Sequence, residues 1–457
     1  MPSNNRKYSL NLGKFFRACN PTRTLNLAKP NDQRYYIDFS EARGNDLVQD
    51  MKRTIGFSGN EPTCQLFTGH IGCGKSTELS RLKRDLEADG YHVVYFESTE
   101  DLDMGDVDIS DILLAIAKQI SQSLEDAKLR LTPNKFQNLL KGAADWLTSE
   151  VTGLRVNIPQ VAEARFNAED SSYSLSLGIS EITTKAKSSK NVRSLLRQHL
   201  EPRSNTILEV INTELIDTAK QQLVAAGKAG LVVIVDNLDR IDNKLQGQDR
   251  RQPEYLFVDQ GKHLRQLRCH LVYTIPLVLS FSNERENLTN QFGSSPQVLP
   301  MVRTQNLDGS PCEAGLMALR QMILARAFPD IPAAERMEHL EMIFDSVETL
   351  NQLCIASGGH VRNLLSLISY CLRRADPPFT QTLLEQVISL RLHDLTKAIE
   401  PEEWAMLRKV AQTKMAQDEG KYQTLLRSLY VFEYQDGRQT WFDVNPLLSN
   451  AQELQTY

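Results

Sequence analysis

Two short stretches of this 457-residue chain carry side chains that together suit phosphate chemistry. The first, GHIGCGKST, runs from Gly69 to Thr77 and fits GxxxxGK[ST] through Ser76. Phosphate oxygens need several backbone N–H donors close at hand, and glycine lets the main chain turn and approach them. Gly69, His70, Ile71, Gly72, Cys73 and Gly74 therefore form the cradle. Lys75 reaches the β- and γ-phosphates, and the Ser76 hydroxyl is a ligand for Mg²⁺. The second stretch, LVVIVDNLDR, is an apolar run that ends in Asp236, Asn237, Leu238, Asp239 and Arg240. A carboxylate closing such a strand suits the hydrated Mg²⁺ of a nucleotide site, which makes Asp236 the second metal-side residue. Asn237 stands where a carboxylate often activates water, and an amide orients water without taking its proton. Asp239 is then the expected helper in hydrolysis. Cys73 reads as a small loop residue rather than a redox sensor.

These residues need elements to hold them. Cys64 to Thr68 reads as a buried strand. Leu79, Leu82 and Leu86 fall at helical spacing until Gly90, and His92 to Glu97 is a second strand. NTELIDTAKQQLVAAG reads as a helix that ends before the Asp236 strand, and Leu271 to Thr274 as a strand stopped by Pro276. ISDILLAIAKQISQSL is helical. Beyond it, GLRVNIP and YSLSLGISEITTK alternate apolar and polar residues, which predicts half-buried strands in an insertion at about 128–205. In SGGHVRNLLSLISYCLRRA, Leu364, Leu365, Ile368 and Leu372 make an amphipathic stripe. The tail offers two helices, PEEWAMLRKVAQTKMA and YQTLLRSLYV, then a hairpin around Asp436-Gly437.

The pair GHIGCGKST and VVIVDNLDR resembles the STAND and KAP types of P-loop ATPase, and more broadly the AAA+ superfamily. That resemblance implies an α/β fold: a three-layer P-loop NTPase core with a helical lid and a C-terminal winged-helix domain. The implied boundaries are 1–34 for an N-terminal extension, 35–311 for the core, 312–398 for the lid and 399–457 for the tail. It also implies ATP and Mg²⁺ as ligands. By the same match, Asp236 is the Mg²⁺ acid, Asp239 the outer acid and Arg240 the basic position that follows. Thr77 contacts the α-phosphate, Thr274 reads the γ-phosphate, and Arg362 is the lid arginine after the Gly359 turn. Tyr36, Ile37 and Arg43 flank the base. Arg250, Arg251, Arg265 and Arg268 read as solvated charge, with one reaching a neighbouring subunit's phosphate as the alternative.

Bulk properties narrow the field. Hydrophobic residues make up 41% and charged residues 24%, with a net charge of −5, so no global basic character advertises nucleic acid. No apolar run approaches the ~20 residues of a membrane helix, and the N-terminus lacks the apolar centre of a secretory signal. The seven cysteines, Cys19, Cys64, Cys73, Cys269, Cys312, Cys354 and Cys371, show no CxxC. That excludes a zinc ribbon and argues for reduced cytosol over a disulfide framework. The expectation is a cytoplasmic, slow, Mg²⁺-dependent ATPase acting as a conformational or oligomerisation switch. It would work as a homo-oligomer or on a partner effector, away from membranes, in the manner of prokaryotic regulators and antiphage defence components. The alternative is a DNA-associated AAA+ ATPase of origin-recognition or transposition-loader type. For duplex the tail offers only Lys421, Gln423, Arg427 and Arg438, which favours packing or nucleotide gating there. A nucleotide-binding scaffold without turnover is the third possibility, prompted by Asn237.

Overall fold

A computed structural model describes residues 9–129, 131, 134–152, 175–246, 250–416 and 419–455. The chain divides into two compact units: Asp50–Thr68 with Leu82–Gln297, and Met1–Gln49 with Gly69–Arg81 and Val298–Tyr457.

A parallel sheet organises the first of these. Its strands are β1 (Cys64–Gly69), β2 (His92–Glu97) and β3 (Leu231–Asp236). A separate two-residue ladder follows, β4 (Leu245–Gln246) against β5 (Arg250–Arg251), and then β6 (His270–Thr274) and β7 (Gln297–Leu299). The order in the sheet is β2-β3-β6-β1-β7. Every residue of β1 and β3 is buried. A parallel strand covered on both faces needs a near-continuous apolar run, and LVVIVD supplies one. The pairings of β2 with β3, β3 with β6 and β6 with β1 are all parallel, so these four strands end at one edge.

The helix Ile109–Asp126 packs on β2 and β3. Asp108 and Asp111 close its N-terminus with a reciprocal capping box. The segment expected as a strand in YSLSLGISEITTK is instead a helix, Leu175–Ser188. Ile179, Ile182, Thr183 and Ala186 recur at helical spacing and are buried. The helix packs on Ile109–Asp126, where the single Ser176 hydroxyl hydrogen lies within reach of both Glu125 (2.8 Å) and Gln122 (3.0 Å). The serine–leucine alternation is too short to outweigh one continuous buried stripe. The other expected strand, GLRVNIP, lies outside the described residues.

In the second unit, helices Glu313–Ala327, Val347–Ala356, Val361–Leu372 and Gln381–Thr396 share one core. Leu319, Ile323, Leu353, Leu364, Ile368 and Leu384 are its buried centre. The tail forms helices Pro401–Thr413 and Glu419–Arg427, then β8 (Val431–Gln435) antiparallel to β9 (Thr440–Val444). At the expected turn the Asp436 carboxylate accepts from the backbone of Arg438 and Gln439, and Gly437 takes φ +84°. No helix among the described residues is long and apolar enough to cross a membrane. All seven cysteines are buried free thiols.

Candidate functional site

The glycine-rich loop leaves β1 and enters the helix Lys75–Ala88. Gly72 and Gly74 have φ of +91° and +112°, where a side chain is strained. A Cβ on Gly72 would also lie 2.9 Å from Cβ of Arg362 and 3.0 Å from Cε1 of His360. Lys75, buried at the first helical position, donates to the carbonyls of Gly69 (2.8 Å) and His70 (2.9 Å). Ser76 and Thr77 follow on the first turn, half-buried, and the Cys73 side chain is buried.

Two groups of residues grip this loop from within the same unit. Arg43, itself buried, donates to the Cys73 carbonyl (2.7 Å) and pairs with Glu78 (2.9 Å). Tyr36 donates to the other Glu78 oxygen, while Ile37 packs on the helical core. Burial pushes the Glu78 carboxyl up, with Arg43 and Arg81 pulling against it. Arg43 thus braces the loop through the Cys73 carbonyl and the helix that follows it through Glu78.

The second grip comes from the helix Val361–Leu372 and from β8. The main-chain N–H of Arg362 donates to the Gly72 carbonyl at 3.2 Å. Gly359 is obligatory, since a Cβ there would fall 1.6 Å from the Val302 carbonyl oxygen. His360 caps its helix by accepting from the Asn363 N–H at Nδ1, and its Nε2 bonds the Ile71 carbonyl at 2.9 Å. These partners fix the tautomer: Nε2 carries the hydrogen. His70, wholly inside, accepts the Glu433 N–H at Nε2 (3.2 Å). The Phe432 ring stacks on His360 and receives His70 edge-on. Burial above all, then the neighbouring His360 and Lys75 charges, holds His70 down at about 3. Burial and the nearby Arg362 hold His360 at about 4, against the opposing pull of the Ile71 carbonyl. Both rings are neutral at ordinary pH. The motif's variable positions carry no signal for such partners, so the role of His70 and His360 was not legible in the sequence.

The acidic edge belongs to the sheet unit. Asp236 is 1% exposed; its carboxylate accepts from the Tyr95 hydroxyl (2.8 Å) and from the Asn237 backbone (2.7 Å). In the register, Asp236 is paired with Glu97 of β2. Since Val235 is level with Tyr273, Asp236 is also level with Thr274, and Thr274 with Phe67 of β1. The strand that leads into the glycine loop and the strand that carries Asp236 therefore end at the same edge, one strand apart. Asn237 takes a left-handed conformation, φ +66°. Its side-chain amide donates to Glu97 at 2.7 Å. The Glu97 carboxyl is raised, mainly by burial and then by the adjacent Asp236 charge. The Thr274 hydroxyl accepts from the Leu238 N–H on the turn after β3 (3.0 Å) and donates to the Val235 carbonyl of β3 (3.4 Å). Asp239 and Arg240 lie on the short turn Leu238–Arg240, with Arg240 exposed. Arg250 pairs with Asp259 and Glu284, and Arg268 with Asp217.

No family model matches the chain, and no curated protein matches it. Solved structures do. The Walker-type ATPase PABY2304 of Pyrococcus abyssi is similar at 12% identity and a TM-score of 0.40, over 95% of this chain and 99% of that one. The ORC1 protein of Aeropyrum pernix, solved in complex with DNA, is similar at 11% and 0.37, over 95% of each chain. Cdc6p of Pyrobaculum aerophilum is similar at 11% and 0.34, over 93% of this chain and 97% of that one.

Proposed function

We propose that the chain binds ATP at the loop Gly69–Thr77 and hydrolyses it slowly, as a conformational switch. The observation that supports a switch is the way the loop is held. Its main chain and His70 bond to His360, Arg362 and Glu433, residues far along the sequence in the helical and hairpin segments. A triphosphate that reorders the loop must change those bonds, and a partner that moves the segments must change the loop. Loop N–H groups, the start of helix Lys75–Ala88 and the Lys75 ammonium hold the phosphates. Ser76 and Asp236 offer hard oxygen donors of the kind Mg²⁺ takes, alongside water and phosphate oxygens. Bound Mg²⁺ would neutralise charge on the β- and γ-phosphates. Asp236 is oriented for that work by Tyr95 and the Asn237 N–H. Arg362 faces the γ-phosphate from its helix entrance, and Tyr36, Ile37 and Arg43 flank the base. The division into core, helical lid and winged-helix tail belongs to this reading, as does an oligomer or effector partner in prokaryotic regulation or defence.

Calorimetric titration with Mg-ATP tests the site: the wild type binds and Lys75→Ala does not. Equal affinity of the two would remove the assignment. Phosphate release above the Lys75→Ala level tests turnover.

A second reading is a DNA-associated ATPase of origin-recognition type. The tail's order of helix, helix and hairpin supports it. A shift assay with duplex at low salt decides it, because phosphate contacts are strongest there. Absence of a shift would sink it.

A further inference from the structure

A row of rings and guanidinium groups lies on the unit that holds Met1–Gln49 and Val298–Tyr457. Phe16, on the short helix Leu12–Ala18, is 40% exposed. The Arg373 guanidinium lies over its ring, 6.0 Å from the centre, and over the Tyr370 ring at 5.4 Å. Arg391 lies over Tyr370 as well, at 5.7 Å. Arg374 follows Arg373 and lines an open depression of about 510 Å³ on the helix Gln381–Thr396, with Thr382, Gln386, Ser389 and Leu390. Glu385 also lines it, and its carboxylate accepts from the Gln381 amide at 2.9 Å. Charge is unbalanced on this face. Arg17, Arg373 and Arg374 are exposed, and among the described residues none of them pairs with a carboxylate. Arg391 comes within 4.0 Å of Asp394, which Lys397 shares at 3.5 Å. In a chain of net charge −5, such a surplus of cations stands apart.

Arginines at the end of a helix suit its dipole, but that does not account for the rings set between them. A partner that fits must carry repeated negative charge together with flat groups able to stack. An acidic peptide supplies only the charge. A duplex supplies charge but keeps its base faces inside. An unpaired strand offers both. We infer that this face binds single-stranded nucleic acid. Phosphates pair with Arg373 and Arg374, and a base stacks on the exposed Phe16 ring. Thr382, Gln386 and Ser389 offer hydrogen bonds to base edges or sugar hydroxyls in the depression. This surface is separate from the nucleotide loop and from the tail on which the duplex reading rests, and it does not depend on ATP hydrolysis.

Fluorescence anisotropy on the full chain tests this. The probes are labelled oligothymidylate and oligouridylate of about 16 nucleotides, a labelled duplex of the same length, and polyglutamate as competitor. The variants are Arg373→Gln combined with Arg374→Gln, Phe16→Leu, and Arg285→Gln, an exposed arginine of the sheet unit, as the charge control. The expected result is binding of single strands that weakens steeply between about 50 and 200 mM salt. The double arginine variant lowers the slope of log affinity against log salt by about 1 to 2. Phe16→Leu weakens binding about 10-fold at every salt concentration and leaves that slope alone. Arg285→Gln binds as the wild type does. Arg373→Lys guards against a folding defect in the glutamine form: it keeps the slope and loses part of the affinity. Preference for one of the two strands supports the proposal and names the sugar that the depression takes. No binding of either strand at low salt overturns it. Wild-type affinity in both the arginine and the phenylalanine variants overturns it too, since the strand would then lie elsewhere. Duplex bound as tightly as single strands does the same, because phosphates alone would then suffice. Displacement by polyglutamate as complete as by unlabelled strand replaces nucleic acid with an acidic protein partner. None of these outcomes bears on ATP binding at Gly69–Thr77.

Discussion

The glycine loop and the acidic edge meet their demands in opposite ways. The loop is held through its main chain: Gly72, Ile71 and Cys73 give their carbonyls to Arg362, His360 and Arg43. The acidic edge is held through side chains, Tyr95 on Asp236 and Asn237 on Glu97, each reaching across adjacent parallel strands. A main-chain grip tolerates many residue types at the gripped positions provided that the glycines remain. A side-chain network tolerates almost none, because each member satisfies another.

The largest effect should come from breaking the main-chain grip. Gly72→Val drives a branched side chain into Arg362 and His360 at a left-handed position. It is expected to cost about 3 kcal/mol of stability and to abolish ATP binding. Denaturant melts and calorimetry measure the two, and near-wild-type values for both would refute the grip. Next is Asn237→Asp. Aspartate tolerates the left-handed backbone but loses the amide donor and sets a third carboxylate beside Asp236 and Glu97. Turnover should fall roughly tenfold as the edge loses the bond from Asn237 to Glu97. A rise would mean that the amide had been limiting.

Acid separates the regions more gently. His70 and His360 are held at about 3 and about 4, below the ordinary 6.5. Between those limits the unfolded chain binds more protons than the folded one. Their contribution is therefore fully present above pH 6.5 and is lost as pH falls through about 4 for His360 and about 3 for His70. His360→Asn should flatten that part of a stability–pH curve; an unchanged slope would absolve the pair. The smallest change expected is Tyr95→Phe, which removes one donor to Asp236 and costs about 1–2 kcal/mol. Its signature is a weaker Mg²⁺ dependence of ATP binding with the loop undisturbed.

Much of the fold could be read from residues near one another in sequence. LVVIVD announces a buried parallel strand, Gly90 and Gly227 mark helix ends, and Asp436-Gly437 makes the expected hairpin turn. The helix Leu175–Ser188 was misread because Ser-Leu-Ser-Leu imitates a strand locally, while the stripe that decides the matter only matters once Ile109–Asp126 packs against it. At the site, Lys75 and Asp236 stand out by motif and strand. Glu97 closes HVVYFE as Asp236 closes LVVIVD, yet nothing in either stretch says that the strands are adjacent. Register is a property of the assembled sheet. Thr274 closes a strand that was legible, while its bonds to Leu238 and Val235 depend on the neighbouring strand and turn.

The bond between His70 and Glu433 has a consequence for biosynthesis. Its two ends are 363 residues apart. At about 5–20 residues per second, a ribosome needs roughly 20–70 s to deliver the second after the first. During that interval a newborn loop has its lysine and glycines but neither Glu433 nor, for most of it, His360. A polypeptide that stalls on the way would carry the phosphate motif without its bonds to His360 and Glu433, which ties full assembly of the loop to synthesis of the segment that carries Glu433.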